Sequence, residues 1–227
     1  MTYTLIIPIY NEESTLPILL KKLDKLNNNI EIIIIDDGST DKTDLILKKY
    51  NNFNIIKNKS NLGKGVAITN GLHSATNKNI ILMDGDLEVD IGDIPKLINI
   101  FEKSNKDAVV GVRWKKNHRF TLEINTIGNY LINNIFNILY NSSLNDVLCC
   151  AKILNVNLFK SLDIQSKGFS IEVETMAKLI LNGSTIEEVN IHYNRRTLEE
   201  GKKLKISDSW NVIWTMIRLK LFKSLNN

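Results

Sequence analysis

In the stretch NIILMDGDLEVD (79–90), acids stand at every second position: Asp84, Asp86, Glu88 and Asp90 follow the apolar run Ile80–Met83. In an extended chain alternate side chains point to one side. Carboxylates crowded in this way repel one another unless a cation sits among them. A calcium EF-hand loop also opens D-x-D. Counting from Asp84, however, its obligatory sixth-position Gly would be Val89 and its closing Glu would be Pro95. Zinc would want His or Cys nearby, and none is offered. A hard divalent ion, Mg2+ or Mn2+, takes one or two carboxylates plus substrate phosphates, and it fits best.

Other reactive groups also follow apolar runs. Pro8, Tyr10, Asn11 and Glu12 come after the first run, and Asp36, Asp37, Gly38 and Ser39 after the second. Helix capping accounts for Ser39–Asp41 and is a competing account of Asp37. It cannot account for Asp84, Asp86 and Glu88 together. NLGKG (61–65) places Lys64 between glycines at a helix start, where backbone amides could meet an anion. It lacks the Walker pattern.

The elements that would position these groups alternate. Short β-branched runs at 3–10, 30–36, 53–57, 79–84 and 107–112 read as strands buried on both faces. Helix-like segments lie near 14–27, 41–50, 64–76 and 94–104, with Pro17 in a first turn. This is an α/β layer fold: an open, mostly parallel sheet with helices on both faces. Ligands in such sheets sit beyond the carboxyl ends of the strands, which is where the acids cluster. Longer helical patterns follow at 121–140 and at 170–182, the latter stopped by Gly183. A strand in STIEEVNIHYNRR and a last helix after Asp208 complete the pattern. Aromatic residues in 127–140 read as core, and His73, His118 and His192 share no spacing that suggests a site.

At 227 residues the chain suits one large domain, and 43% hydrophobic with 24% charged residues is ordinary for a globular protein. A net charge of +4 is too weak to argue for nucleic acid. The only cysteines, Cys149 and Cys150, are adjacent, which gives neither a disulfide framework nor a zinc spacing; a reducing, intracellular setting is expected. The start MTYTLIIPIYNEE has no basic n-region, so no secretory signal is expected. No apolar run approaches the ~18–20 residues that cross a bilayer.

Six motifs fall in one register: IPIYNEE (6–12), IDDGSTDKT (35–43), NLGKG (61–65), DGDLE (84–88), DVLCCAKI (146–153) with GFSIEVE (168–174), and YNRRTLEEGKKLKISD (193–208). In this the chain resembles glycosyltransferase family 2, and within it the polyprenyl-phosphate sugar transferases similar to dolichyl-phosphate mannose synthase. The resemblance implies a GT-A fold over 1–227, with a nucleotide-sugar half at about 1–112, an acceptor half at about 113–207 and a C-terminal helix at about 208–225. It implies inverting transfer of a hexose from a nucleotide-diphosphate sugar. Pro8, Tyr10, Glu12 and Asp37 would line the nucleoside pocket, with Lys64 and Asp84 also on the donor. Asp84, Asp86 and Glu88 would hold Mg2+ or Mn2+, Asp86 with a catalytic role. Where relatives commonly read D-A-D-L-Q, this chain has Gly85 and Glu88, which leaves the metal preference open.

On the acceptor side, Arg113, Arg195, Arg196, Lys202 and Lys203 suit an anionic phosphate, which Arg grips bidentately. Singly, each could equally be a solvated surface charge. A phosphate acceptor is already ionised, whereas a hydroxyl acceptor would need a base, for which Asp146 is the candidate. In the last helix Trp210, Trp214, Ile217 and Leu221 form one stripe near Arg218, Lys220 and Lys223. That pattern suits core packing or an interfacial helix on anionic lipid, on the cytoplasmic face of a membrane or through an anchoring partner. Competing readings are the same donor chemistry on a glycan or other hydroxyl, a sugar nucleotidyltransferase, and a non-catalytic nucleotide-sugar-binding subunit.

Overall fold

A computed structural model describes residues 3–26, 29–113, 124–196 and 206–225. The chain alternates β1 (Tyr3–Ile9), α1 (Leu16–Leu23), β2 (Ile30–Asp36), α2 (Thr43–Leu47) and β3 (Asn54–Lys57). It continues with α3 (Lys64–Ser74), β4 (Asn79–Leu82), α4 (Ile94–Ser104), β5 (Ala108–Val112) and α5 (Ile124–Tyr140). Then come β6 (Lys152–Asn155), α6 (Val156–Ser161), α7 (Ile171–Leu181), β7 (Ile186–Asn190) and α8 (Ile206–Leu225).

The strands form one sheet in the order β3-β2-β1-β4-β6-β5-β7. Every pairing is parallel except the two that β6 makes, with β4 and β5. The sheet is therefore mostly parallel, as the unbroken apolar runs require. Leu5, Ile6, Ile7, Ile33, Ile34, Ile35, Ile80 and Ile81 are fully buried at its centre. Reversed strand β6 and the short α6 after it were not expected from the sequence. KILN is only four residues long and starts with a lysine, so its composition gives no strand signal.

α1 carries Pro17 in its first turn and turns Leu16, Leu19, Leu20 and Leu23 inward. α7 ends at Gly183, whose φ of +74° is a left-handed stop that a Cβ would strain. Asp90 stands apart from the other acids: it caps the one-turn 3-10 helix Ile91–Asp93 by accepting from the Gly92 N–H, and it pairs with Lys22.

α5 packs on α8, and the Tyr140 hydroxyl donates to the Met216 carbonyl at 2.7 Å. Phe136 and Tyr140 are buried as expected, but Tyr130 is half exposed and Ile138 is 81% exposed. On α8 the core-facing residues are Val212 and Met216. Trp210, Trp214 and Leu221 of the expected stripe point outward, with Trp210 71% and Trp214 63% exposed, while its fourth member, Ile217, is half-buried. Core packing therefore does not account for that stripe.

α3 meets the loop before α7 backbone to backbone. A Cβ on Gly65 would stand 1.9 Å from the Ser166 carbonyl oxygen. Neither backbone can yield easily, so Gly65→Ala should cost about 2–3 kcal/mol. A thermal melt tests this, and an unchanged midpoint would contradict the packing.

Candidate functional site

The carboxyl ends of β1, β2, β4 and β5 open on one edge of the sheet; the first three each contribute a loop, and β5 contributes Arg113. The β1 and β2 loops are laced together. Asn11 N–H donates to Ser39 Oγ, Thr40 N–H returns to Asn11 Oδ1, and Glu12 N–H donates to Thr43 Oγ1. Pro8 and Tyr10 are half-buried beside them. Asp37 is buried and organises the next loop, accepting from Asn58 Nδ2, Leu62 N–H and Gly63 N–H. Its neighbour Asp36 is fully buried and has one oxygen, Oδ2, without a hydrogen-bond partner.

The NLGKG segment corrects one expectation. Most amides around the start of α3 are already engaged: Gly65 and Val66 N–H donate to the Lys167 carbonyl, and Leu62 and Gly63 N–H to Asp37. The Lys64 ammonium instead bridges two carboxylates, 2.5 Å from Asp84 Oδ1 and 2.6 Å from Glu172 Oε1. Burial works against its charge, but Asp84 and Glu172 outweigh burial and hold its pKa well above the usual lysine range.

In the DGDLE loop Leu87 adopts φ +63°, which folds the Glu88 N–H back onto Asp86 Oδ1 at 3.0 Å. Gly85 has a local reason: a Cβ there would lie 2.3 Å from Ile9 Cγ2. Burial, and then the charges of Asp84 and Glu88, push the Asp86 carboxyl up to about 7.

The three carboxylates have different partners. Asp84 pairs with Lys64. Glu88 accepts from the Tyr193 hydroxyl at 3.0 Å and from the Arg196 N–H at 3.1 Å. Asp86 accepts only the Glu88 N–H among the described residues, leaving Oδ2 unengaged. No three His, Cys, Asp or Glu side chains among the described residues make a metal site by themselves. The expected three-carboxylate ligand set is therefore not assembled here. One carboxylate with an unengaged oxygen and excess negative charge around it, in an all-oxygen setting, still fits a hard divalent ion that completes its shell from substrate.

Asp146, the candidate base, is corrected by its geometry. Arg113 donates from Nε and its backbone N–H to Asp146 Oδ2 and from Nη2 to Oδ1, at 2.8–3.0 Å. Both oxygens are thus taken by one residue, and Asp146 is 3% exposed. Arg113 also lies over the Tyr193 ring, 5.3 Å from its centroid.

The expected cluster of acceptor arginines divides as well. Asn194 N–H donates to the Glu88 carbonyl at 2.7 Å, so 193–196 crosses the DGDLE loop. Arg196 Nη1 then reaches both oxygens of Glu12, at 3.0 and 3.1 Å. Arg196 therefore stands in the expected nucleoside pocket and Arg113 with Asp146, while Arg195 is half-buried. Lys202 and Lys203 lie outside the described residues. Glu172, Lys152 and Tyr193 are site residues that the sequence reading did not assign. All three lie inside motifs quoted above, but nothing in those motifs gives their partners.

The description Glycosyl transferase family 2 matches residues 4–162, covering the sheet from β1 through β6 and all the donor loops. The chain belongs to this family. It is a glycosyltransferase, and its fold is GT-A. This glycosyltransferase is 30% identical over 203 residues to an uncharacterized protein of Methanocaldococcus jannaschii, covering 83% of this chain and 87% of that one. It is 27% identical to the dodecaprenyl-phosphate galacturonate synthase of Rhizobium johnstonii, over 96% of this chain and 66% of that one. It is 26% identical to the dolichyl-phosphate beta-glucosyltransferase of Dictyostelium discoideum, over 96% and 73%. In structure it is similar to the glucosyl-3-phosphoglycerate synthase of Mycobacterium tuberculosis in complex with uridine diphosphate, with a TM-score of 0.75, 19% identity, and 96% and 80% coverage.

Proposed function

We propose that this glycosyltransferase moves a hexose, with inversion, from a nucleotide-diphosphate sugar of the GDP-mannose or UDP-glucose type to polyprenyl phosphate, with Mg2+ or Mn2+. The observation that carries the acceptor is the Arg113–Asp146 pair. A hydroxyl nucleophile needs a base, and the carboxylate on offer is committed to Arg113 on both oxygens. A phosphate nucleophile is already anionic and needs instead a fixed guanidinium, which Arg113 would supply, held by Asp146 and the Tyr193 ring. The relatives named for dodecaprenyl-phosphate and dolichyl-phosphate support the same acceptor class.

On the donor side Asp86, backed by Asp84 and Glu88, would hold the ion. When bound, the ion would stabilise the negative charge that develops on the departing diphosphate. Lys64 supplies a fixed positive charge beside the same group. Pro8, Tyr10, Glu12 and Asp37 frame the nucleoside pocket, Asp37 by shaping its loop. Arg195, Lys202 and Lys203 remain assigned to the acceptor. Residues 1–112 form the donor half of the domain and 113–207 the acceptor half. The test is to incubate the protein with a panel of nucleotide sugars, a short polyprenyl phosphate, and Mn2+, Mg2+ or a chelator. A metal-dependent sugar–phosphate–prenyl product is expected, and transfer to hydroxyl acceptors alone would overturn the reading.

The protein would work peripherally on the cytoplasmic face of a membrane, directly or through an anchoring partner. No helix among the described residues is long and apolar enough to cross one. The outward stripe of α8 and the exposed Tyr130, Leu131 and Ile138 of α5 lie on two helices that pack on each other. A groove of about 320 Å³, lined by Lys167, Trp214 and Arg218, borders α8. Trp210→Ala with Trp214→Ala should weaken binding to anionic vesicles by on the order of tenfold or more. Unchanged co-sedimentation would remove the stripe from any membrane role.

A further inference from the structure

Four charges of alternating sign, the first two partly buried and the last two buried, run from the donor loop through α3 and α7 to β6. Asp84 pairs with Lys64 and Lys64 with Glu172 Oε1. Glu172 Oε2 accepts from the Lys152 ammonium, which also donates to the Cys149 carbonyl. Lys152 exposes 1% of its surface and Glu172 7%. The Phe169 ring flanks the Lys64 ammonium at 5.9 Å. The four charges sum to zero.

Burying ions is costly, and well-packed apolar side chains of the same volume usually serve stability as well or better. Stability alone therefore gives no reason for four in succession. Lys152 comes from the one reversed strand, where it pairs in register with Leu82, the last residue of β4. That register puts it at the end of the sheet where the DGDLE loop begins. Glu172 lies in the first turn of α7, a setting that favours a carboxylate.

We infer that Glu172 and Lys152 are positioning residues for Lys64. Glu172 fixes the Lys64 ammonium beside Asp84. Lys152 cancels the charge of Glu172, so that no extra negative charge stands where a diphosphate must bind near Asp86 and Glu88. Lys64 faces the donor, and the other two act through it. This rests on the reading of the DGDLE loop as the diphosphate site.

The test compares Lys152→Met, Glu172→Gln and the double variant by donor kinetics and melting temperature. Lys152→Met leaves a net negative charge and should raise the donor KM about tenfold. Glu172→Gln frees Lys64 and should lower kcat on the order of 10²-fold with little change in KM. The double variant is neutral again, so it should recover the wild-type melting temperature and KM yet keep the low kcat. A double variant with wild-type kcat overturns the inference, as do single variants whose KM stays at the wild-type value while kcat falls only in step with the folded fraction. If either single variant does not fold, the double variant still decides. A wild-type protein that neither binds nor turns over any nucleotide sugar would overturn the proposed function, and this inference with it.

Discussion

Asp86→Asn should reduce nucleotide-sugar turnover on the order of 10³-fold, because it removes the carboxylate best placed to hold the ion that stabilises the leaving group. The same change should raise the melting temperature at pH 8 in chelator. The folded protein lifts the Asp86 carboxyl from 3.8 to about 7. Folding thus favours a proton that the unfolded chain releases earlier, and stability declines as pH climbs from about 4 to about 7, then levels. At pH 8 wild-type Asp86 is ionised among Asp84 and Glu88, and asparagine relieves that repulsion. Mn2+ should raise the wild-type melting temperature and leave Asp86→Asn unmoved. Equal stabilisation of both proteins by Mn2+ would take Asp86 out of the ion site.

Arg113→Gln should cut polyprenyl-phosphate transfer on the order of 10²-fold while leaving hydrolysis of the nucleotide sugar by water within a few-fold of wild type. The pair is informative because its two members make opposite forecasts under the two acceptor readings. If Asp146 positions Arg113, Asp146→Asn loses the charge that holds the guanidinium and reproduces the Arg113→Gln defect. If Asp146 were a base, Arg113→Gln would free its oxygens and retain transfer to a hydroxyl, while Asp146→Asn would abolish it. Transfer assays on both variants with phosphate and hydroxyl acceptors separate the two. Because Asp146 is buried, melting temperatures should accompany the rates.

The strands were legible because β-branched runs such as IEIIIID leave few alternatives once both faces are buried. The same pattern placed the acids at the carboxyl ends, and with them the site. β6 escaped because a strand whose first residue is a buried lysine has no compositional signature; only Glu172 makes that lysine intelligible. Pairings across the fold were equally hidden. Alternation could place Asp84, Asp86 and Glu88 together, but it could not say that Lys64 claims the first and the 193–196 segment the last. The arginines were grouped by charge and by the resemblance of the 193–208 motif. Glu88, however, draws Arg196 over the loop to Glu12, while Asp146 keeps Arg113 at β5. The Trp stripe was visible as a stripe, but only the packing of Val212 and Met216 says which side of α8 faces out.

The central claim is that the acceptor's phosphate oxygen is the nucleophile. It is tested most directly by phosphorus-31 and proton NMR of the purified transfer product. A phosphodiester phosphorus coupled to the anomeric proton of the sugar is expected, with the anomeric configuration inverted from that of the donor. A product in which the acceptor phosphate remains an unmodified monoester and the sugar is joined to a hydroxyl oxygen would contradict it.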